Sequence, residues 1–200
     1  SAQAQLLHIR TDLFKKSNVK VPTTMEELED AARKLTIDDN GDGKPETYGF
    51  LSRGWGRLTT ASFATYLFNF GGSWFKTLPD GTKVSNLNSK ESVDAFEFYG
   101  RMIRNYAPKS ALSSKPPQNA ALYAAGKAAM LSGLNYWHGL ANDPKKSRIP
   151  GKSTTILIPS GRAGSFPNIP TTSLAISKYS NKKKAAWLYI AWMTQKQIML

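Results

Sequence analysis

The sequence predicts an α/β fold, short strands alternating with amphipathic helices, on three observations. The first is the stretch 120–137, AALYAAGKAAMLSGLNYW, which reads as a short helix, a stop at Gly126, a buried strand and an aromatic pair on a loop. The second is a pair of helices with their own start signals, near residues 24–35 and 88–106. The third is the β-branched run 154–158, closed by Pro159. In open α/β sheets ligands bind outside the carboxyl ends of strands, so Tyr136 and Trp137 are candidate ligand-facing rings; the same two rings would serve equally as core.

Composition narrows the function classes. Two hundred residues make one domain or one and a half, and 40% hydrophobic residues suffice for a sizeable core. No run approaches the roughly 20 apolar residues of a membrane span. Residues 1–5 are polar and small, unlike a signal peptide, so the chain reads as cytoplasmic or as a mature or excised piece of an exported protein. The absence of cysteine excludes disulfides, thiol catalysis and cysteine metal sites. Charge is uneven: residues 1–100 hold 12 Lys/Arg against 13 acids, whereas residues 101–200 hold 15 against Asp143 alone. A basic half suits a nucleic-acid or polyanion partner. A solvated surface is the reading these lysines favour, because Lys145–Lys146 and Lys182–Lys184 fall at turns and helix starts rather than along one stripe.

The elements follow in order. Leu6–Ile9 is a first strand and residues 11–16 one helical turn. Thr24 stands three residues before Glu27, a capping-box signature, and Leu28, Ala31, Ala32 and Leu35 give the next helix a single apolar face. In TIDDNGDGKPE, Asp38, Asn40 and Asp42 alternate and Gly43 follows, like the first half of a calcium loop. Position 12 of that loop is Gly49 instead of the bidentate glutamate, and Glu46 is the carboxylate that remains; an Asx-rich turn explains the same residues. Residues 47–51 form a second strand, leading into the glycine-flanked Arg53-Gly54-Trp55-Gly56-Arg57. Residues 58–70 form a helix ended by Gly71-Gly72, with Trp74 and Phe75 in the following loop and a turn at Pro79-Asp80-Gly81. The long helix is capped by Asn88 and buries Val93, Phe96, Tyr99 and Ile103. A Ser/Pro loop over 110–118 precedes the 120–137 stretch, whose strand covers 128–132 and is broken by Gly133. After the 154–158 strand come a crossover loop at 160–172, a last strand at 174–177, and a helix capped by Asn181 with Ala186, Ile190 and Met193 inward.

Catalytic signatures are missing. His8 and His138 have no metal-spaced partner, and no nucleophile elbow, P-loop or dinucleotide fingerprint follows a strand. No carboxylate pair sits in an apolar setting, as a glycan-processing enzyme needs. What remains is Trp55, Trp74, Tyr136 and Trp137 at loop positions. Flat rings beside hydrogen-bonding groups suit sugars, and the same rings would stack bases.

The order of motifs resembles the extracellular solute-binding proteins of ABC sugar importers, the group that includes maltose-binding protein. The segments carrying it are DLFKKSNVKVPTTMEELEDAARKLT, DDNGDGKPETYGF, FNFGGSWF, NSKESVDAFEFYGRMIRNYAP, LYAAGKAAMLSGLNYW, NDPKKSRIPGK and SLAISKYSNKKKAAWLYIAWM, in that order. The resemblance implies a type II periplasmic-binding-protein lobe: three layers, a central mixed sheet flanked by helices, excised from a two-lobed protein. Residues 1–9 would be the hinge strand, 10–158 the carboxy-terminal ligand-binding lobe, and 159–200 the crossover and a helix at the interlobe boundary or in the other lobe. It implies no catalysis and no required cofactor. A sugar or oligosaccharide would be bound between lobes and passed to permease subunits, outside the cytoplasm, with the membrane reached only through the permease or a lipid anchor outside this chain. Carried over by position, Trp137 matches the sugar-stacking ring, with Tyr136 beside it. Trp55, Arg57 and Trp74 match neighbouring ligand loops. Where many members have Gly-Gly and an aromatic, this chain has NIPTTS, which makes Asn168, Thr171 and Thr172 candidate polar contacts. Arg53, Arg57 and Arg162 fit either an acidic or phosphorylated sugar or a charged surface. Some members bind calcium at the turn corresponding to Asp38, Asn40, Asp42 and Glu46.

Overall fold

A computed structural model describes residues 3–54, 56, 59–170 and 173–199. Gln3–Pro170 forms one compact unit, and residues from Thr171 onward belong to a second.

In the first unit β1 (Gln5–Arg10) is the middle strand of a three-stranded sheet, between β4 (Met130–Leu134) and β5 (Ser153–Ile156). Both neighbours are antiparallel to it: Ile9 faces Met130 on one side and Thr154 on the other. Residues 48–51 lie parallel to β4 through bridges Tyr48–Ala128 and Leu51–Leu131, so the sheet is mixed. Gly49 of this segment packs directly on the preceding helix, where a Cβ would lie 1.8 Å from the Ala32 carbonyl oxygen. Only glycine permits that approach.

Strand alternation sends side chains to two cores. Leu7, Ile9 and Met130 pack with Phe14 of α1 (Thr11–Lys16), Leu28 of α2 (Met25–Lys34), Leu67 of α3 (Thr59–Asn69) and Met102 of α4 (Lys90–Tyr106). Ala128 and Leu131 pack with Tyr123 of α5 (Pro116–Ala124) and Ala141 of α6 (Trp137–Asn142). Helices thus cover the sheet on both faces, giving the three layers expected.

The α2 start behaves as its sequence suggests. Thr24 Oγ1 accepts from the Glu27 N–H at 3.2 Å, and Glu27 reaches back to the N–H and hydroxyl of Thr23 rather than to Thr24. Leu28, Ala31, Ala32 and Leu35 are all buried.

Elsewhere packing overrides the reading. Ser89, not Asn88, caps α4, accepting from the Ser92 N–H at 3.3 Å. The buried side of α4 is Ser92, Ala95, Phe98, Tyr99, Met102 and Ile103, while Val93 and Phe96 are exposed. Both stripes have helical spacing; the small Ser92 lets Gly72 come close, and Phe96 stacks on Phe63 at 4.1 Å from the rim. α3 is buried around its whole circumference from Ser62 to Leu67. Phe75 opens a hairpin, β2 (Phe75–Thr77) and β3 (Lys83–Ser85), in place of a plain loop. The 110–118 stretch holds a 3-10 turn (Lys109–Leu112), and α5 already begins at Pro116, where a missing N–H costs nothing. Gly133 lies inside β4, paired with Leu6, instead of ending the strand.

In the second unit residues 174–177 form no strand. α7 (Lys183–Met193) starts after Lys182 without a side-chain cap, and α8 (Lys196–Met199) follows. Ala186, Ile190 and Met193 are only half-buried, and Trp187, Leu188, Tyr189 and Trp192 are exposed.

Candidate functional site

Segment 48–51 and β4 are parallel, so both deliver their following residues to one end of the sheet. Ser52–Gly54 come from the first and Asn135–Trp137 from the second, and β1 brings Gln5 to the same end through the Gln5–Leu134 pair.

Below these loops lies a buried polar floor. The Ser52 hydroxyl is 2.9 Å from the Tyr99 hydroxyl, which donates to the Arg53 carbonyl at 2.6 Å, leaving Ser52 to donate to Tyr99. Asn119 Nδ2 donates to the Ser52 carbonyl at 2.9 Å, and its Oδ1 has no partner among the described residues. Gln5 Nε2 is 3.3 Å from Ser132 Oγ and 3.5 Å from Ser62 Oγ. Burial pushes the Tyr99 phenol well above its ordinary pKa, so it acts here as a neutral donor and acceptor.

Trp137 begins α6 and is only 4% exposed. Its ring lies over Gly133, where a Cβ would sit 2.1 Å from it, and the Arg53 guanidinium lies 5.6 Å from its centroid. The loop ring expected to stack on a sugar is therefore built into the wall. Tyr136, 55% exposed and edge-on to Trp137 at 5.9 Å, holds the open position. Arg53 is 6% exposed, yet no described residue accepts a hydrogen bond from its guanidinium, and Nε is sealed without a partner. Desolvation lowers its pKa, and the Tyr136 and Tyr99 hydroxyls oppose that shift.

Trp74 stands beside a cavity of about 210 Å³ that it shares with Thr59, Thr60, Phe63, Phe96 and Tyr99. Tyr99 joins this cavity to the Arg53 loop. Asn168 is fastened to α3, its Nδ2 donating to the Ala61 carbonyl at 2.7 Å, and its carbonyl accepts from the Gln5 N–H at 2.9 Å. Trp55, Arg57, Thr171 and Thr172 lie outside the described residues. Arg162 pairs with Asp94 and lies over Phe70, so its charge is engaged with α4.

The Asp-rich loop closes on itself. Asp38 accepts from the N–H groups of Gly41 and Gly43 at 2.8 and 2.9 Å, and Asn40 and Asp42 each accept from the backbone two residues on. Glu46 accepts from the Asp39 N–H at 2.8 Å and from Asn40 Nδ2 at 3.0 Å. Among the described residues no three acids or histidines are grouped to hold a metal ion.

Ser52, Tyr99, Asn119, Gln5 and Ser132 escape sequence reading. The available signal is polar side chains at phases where helix and strand patterns call for apolar ones.

Mixed strands of one lobe thus deliver their loops to one polar, aromatic-edged end. Residues 1–199 match the family described as bacterial extracellular solute-binding protein, and the chain belongs to that family. The mannitol-binding protein of Pseudomonas aeruginosa is 26% identical over 201 residues, covering 96% of this chain and 43% of its own. An ABC transporter solute-binding protein from Agrobacterium radiobacter K84, solved in complex with ribitol, superposes with TM-score 0.76 at 28% identity, covering 99% of this chain and 48% of that one. The maltose-bound MalE3 of T. maritima gives TM-score 0.76 at 25% identity, with 98% and 49% covered. These relatives are solute-binding proteins, not enzymes, and the chain spans about half their length. Type II periplasmic-binding-protein architecture follows from the same superpositions.

Proposed function

We propose that this chain forms one wall of a cleft that binds a sugar or sugar alcohol and hands it to the permease of an ABC importer. The observation that carries the reading is the convergence of two parallel strand ends on a buried polar floor edged by Tyr136 and the Trp74 cavity. Aromatic faces and a few placed hydrogen-bonding groups are what a polyhydroxylated solute needs. The relatives named for mannitol, ribitol and maltose point the same way. Closure of a second wall completes the hydrogen bonds and excludes water, and the permease recognises the closed form. Binding of this kind requires no cofactor. We assign the Asp38–Glu46 loop a structural role, in keeping with its internal hydrogen bonds. The protein would work outside the cytoplasm, in a periplasm or lipid-anchored at the cell surface.

The test is a thermal-shift screen of the full-length protein against neutral and acidic monosaccharides, sugar alcohols and oligosaccharides. A solute at about 100 times its Kd adds ~2.7 kcal/mol of stability, so a clear rise in Tm is expected for one solute class. No rise with any saccharide, together with a salt-sensitive rise with DNA or polyphosphate, would overturn the reading in favour of polyanion binding by the basic second half.

A further inference from the structure

We infer that the solute carries an anionic group, a carboxylate or a phosphate, and that Arg53 is the residue that selects it. The inference rests on the reading of this end of the sheet as the solute site.

Arg53 is 6% exposed, its Nε is sealed without a partner, and no described residue accepts a hydrogen bond from the rest of its guanidinium. Removing a guanidinium from water without a counter-charge or acceptors is costly. Other arginines in the chain avoid that cost. Arg10 holds Asp12 bidentately at 2.7 Å, Arg101 holds Glu29 at 3.0 Å, and Arg162 pairs with Asp94. Around Arg53 the groups that act on its charge are the hydroxyls of Tyr136 and Tyr99, not a carboxylate. Ten of the fourteen acids are engaged at helix starts, in the Asp-rich loop, at the hairpin turn and in ion pairs with other residues than Arg53.

Position adds to this. Arg53 follows the parallel strand segment, its guanidinium held against the Trp137 ring and its backbone tied to Tyr99. A planar fork held rigid before the ligand arrives loses little entropy on binding. Fork geometry matches the paired oxygens of a carboxylate or phosphate, and charge-assisted bonds of this kind are the strong ones. The acid group of an aldonate, a uronate or a sugar phosphate fits against Arg53, with the hydroxylated carbons toward Tyr136 and the Trp74 cavity.

The experiment is calorimetric titration of the full-length protein with matched series of alditols, aldoses, aldonates, uronates and sugar phosphates of five and six carbons, and disaccharides with and without an acid group. Wild type should bind one acidic form at least about tenfold tighter than its neutral parent. Carboxylate and phosphate arms of each series identify which anion is taken. Arg53→Gln should bring the acid-to-neutral ratio close to one, and Arg53→Lys, which keeps the charge but loses the fork, should leave an intermediate ratio. Should the variants not fold, the wild-type ratio and its weakening between 50 mM and 500 mM salt decide alone. Neutral saccharides bound as tightly as their acidic counterparts overturn this inference and leave the sugar-site reading standing. Binding of no saccharide, neutral or acidic, overturns both.

Discussion

His8 sits in the middle of the central strand with both ring nitrogens engaged. Nε2 is 3.1 Å from the Leu134 carbonyl, which can only accept, so Nε2 carries the proton. Nδ1 therefore accepts from the Thr155 hydroxyl at 2.9 Å, and that hydroxyl in turn accepts from His138 Nδ1 at 3.0 Å. A second proton on His8 would break this order. Its pKa is lowered to about 4, mainly by burial, with the Leu134 hydrogen bond opposing and His138 assisting. The unfolded chain binds that proton near pH 6.5. Stability supplied by neutral His8 is therefore full above about pH 6.5 and is lost as the pH falls towards 4, amounting to about 3 kcal/mol. Urea unfolding at pH 7.5 and 4.5 should show this loss, and His8→Gln should flatten it; an unchanged slope in the variant would assign the acid sensitivity elsewhere. At this scale the sequence marks the chemistry but not the burial. Tyr136 and Trp137 are adjacent aromatics in the sequence, and only the contact over Gly133 decides that Trp137 becomes wall and Tyr136 stays open.

Among the elements, α2 was legible because capping, spacing and length agree. α4 was legible in extent but not in rotation, since two stripes of similar apolarity run along it and only its neighbours choose between them. Cap choice there is testable. Ser89→Ala should cost about 1 kcal/mol in chemical denaturation, whereas Asn88→Ala, at an exposed residue outside the cap, should stay within about 0.5 kcal/mol. The reverse order would place the helix start at Asn88. The loop at residues 38–46 shows a related ambiguity: alternating Asp and Asn hydrogen-bond the backbone with the same spacing that a cation loop uses. The start of α5 was hidden because prolines are read as loop, although the first turn of a helix accepts them.

At the scale of the whole molecule, the layered α/β fold followed from strand–helix alternation and the order of motifs. The polar floor did not, because it is assembled from Gln5, Ser52, Tyr99, Asn119 and Ser132, which are far apart in the chain. The second unit is the clearest departure from a buried-face pattern: α7 has no fully buried residue and exposes two tryptophans. Such a patch favours association. The 200-residue chain alone should bind ANS and elute in gel filtration as more than one species, and Trp187→Lys with Trp192→Lys should restore a single monomer peak. A monomer peak from the unsubstituted chain would contradict this.

β1 also carries a consequence for the timing of synthesis. The partners of His8 lie 126 and 147 residues further along the chain. At ordinary elongation rates β1 waits roughly 7–30 s for its second neighbour, a strand with both edges open to any passing chain. His8 and Arg10, which are inconvenient to bury, interrupt the apolar run of that strand, the pattern by which polar residues discourage premature pairing.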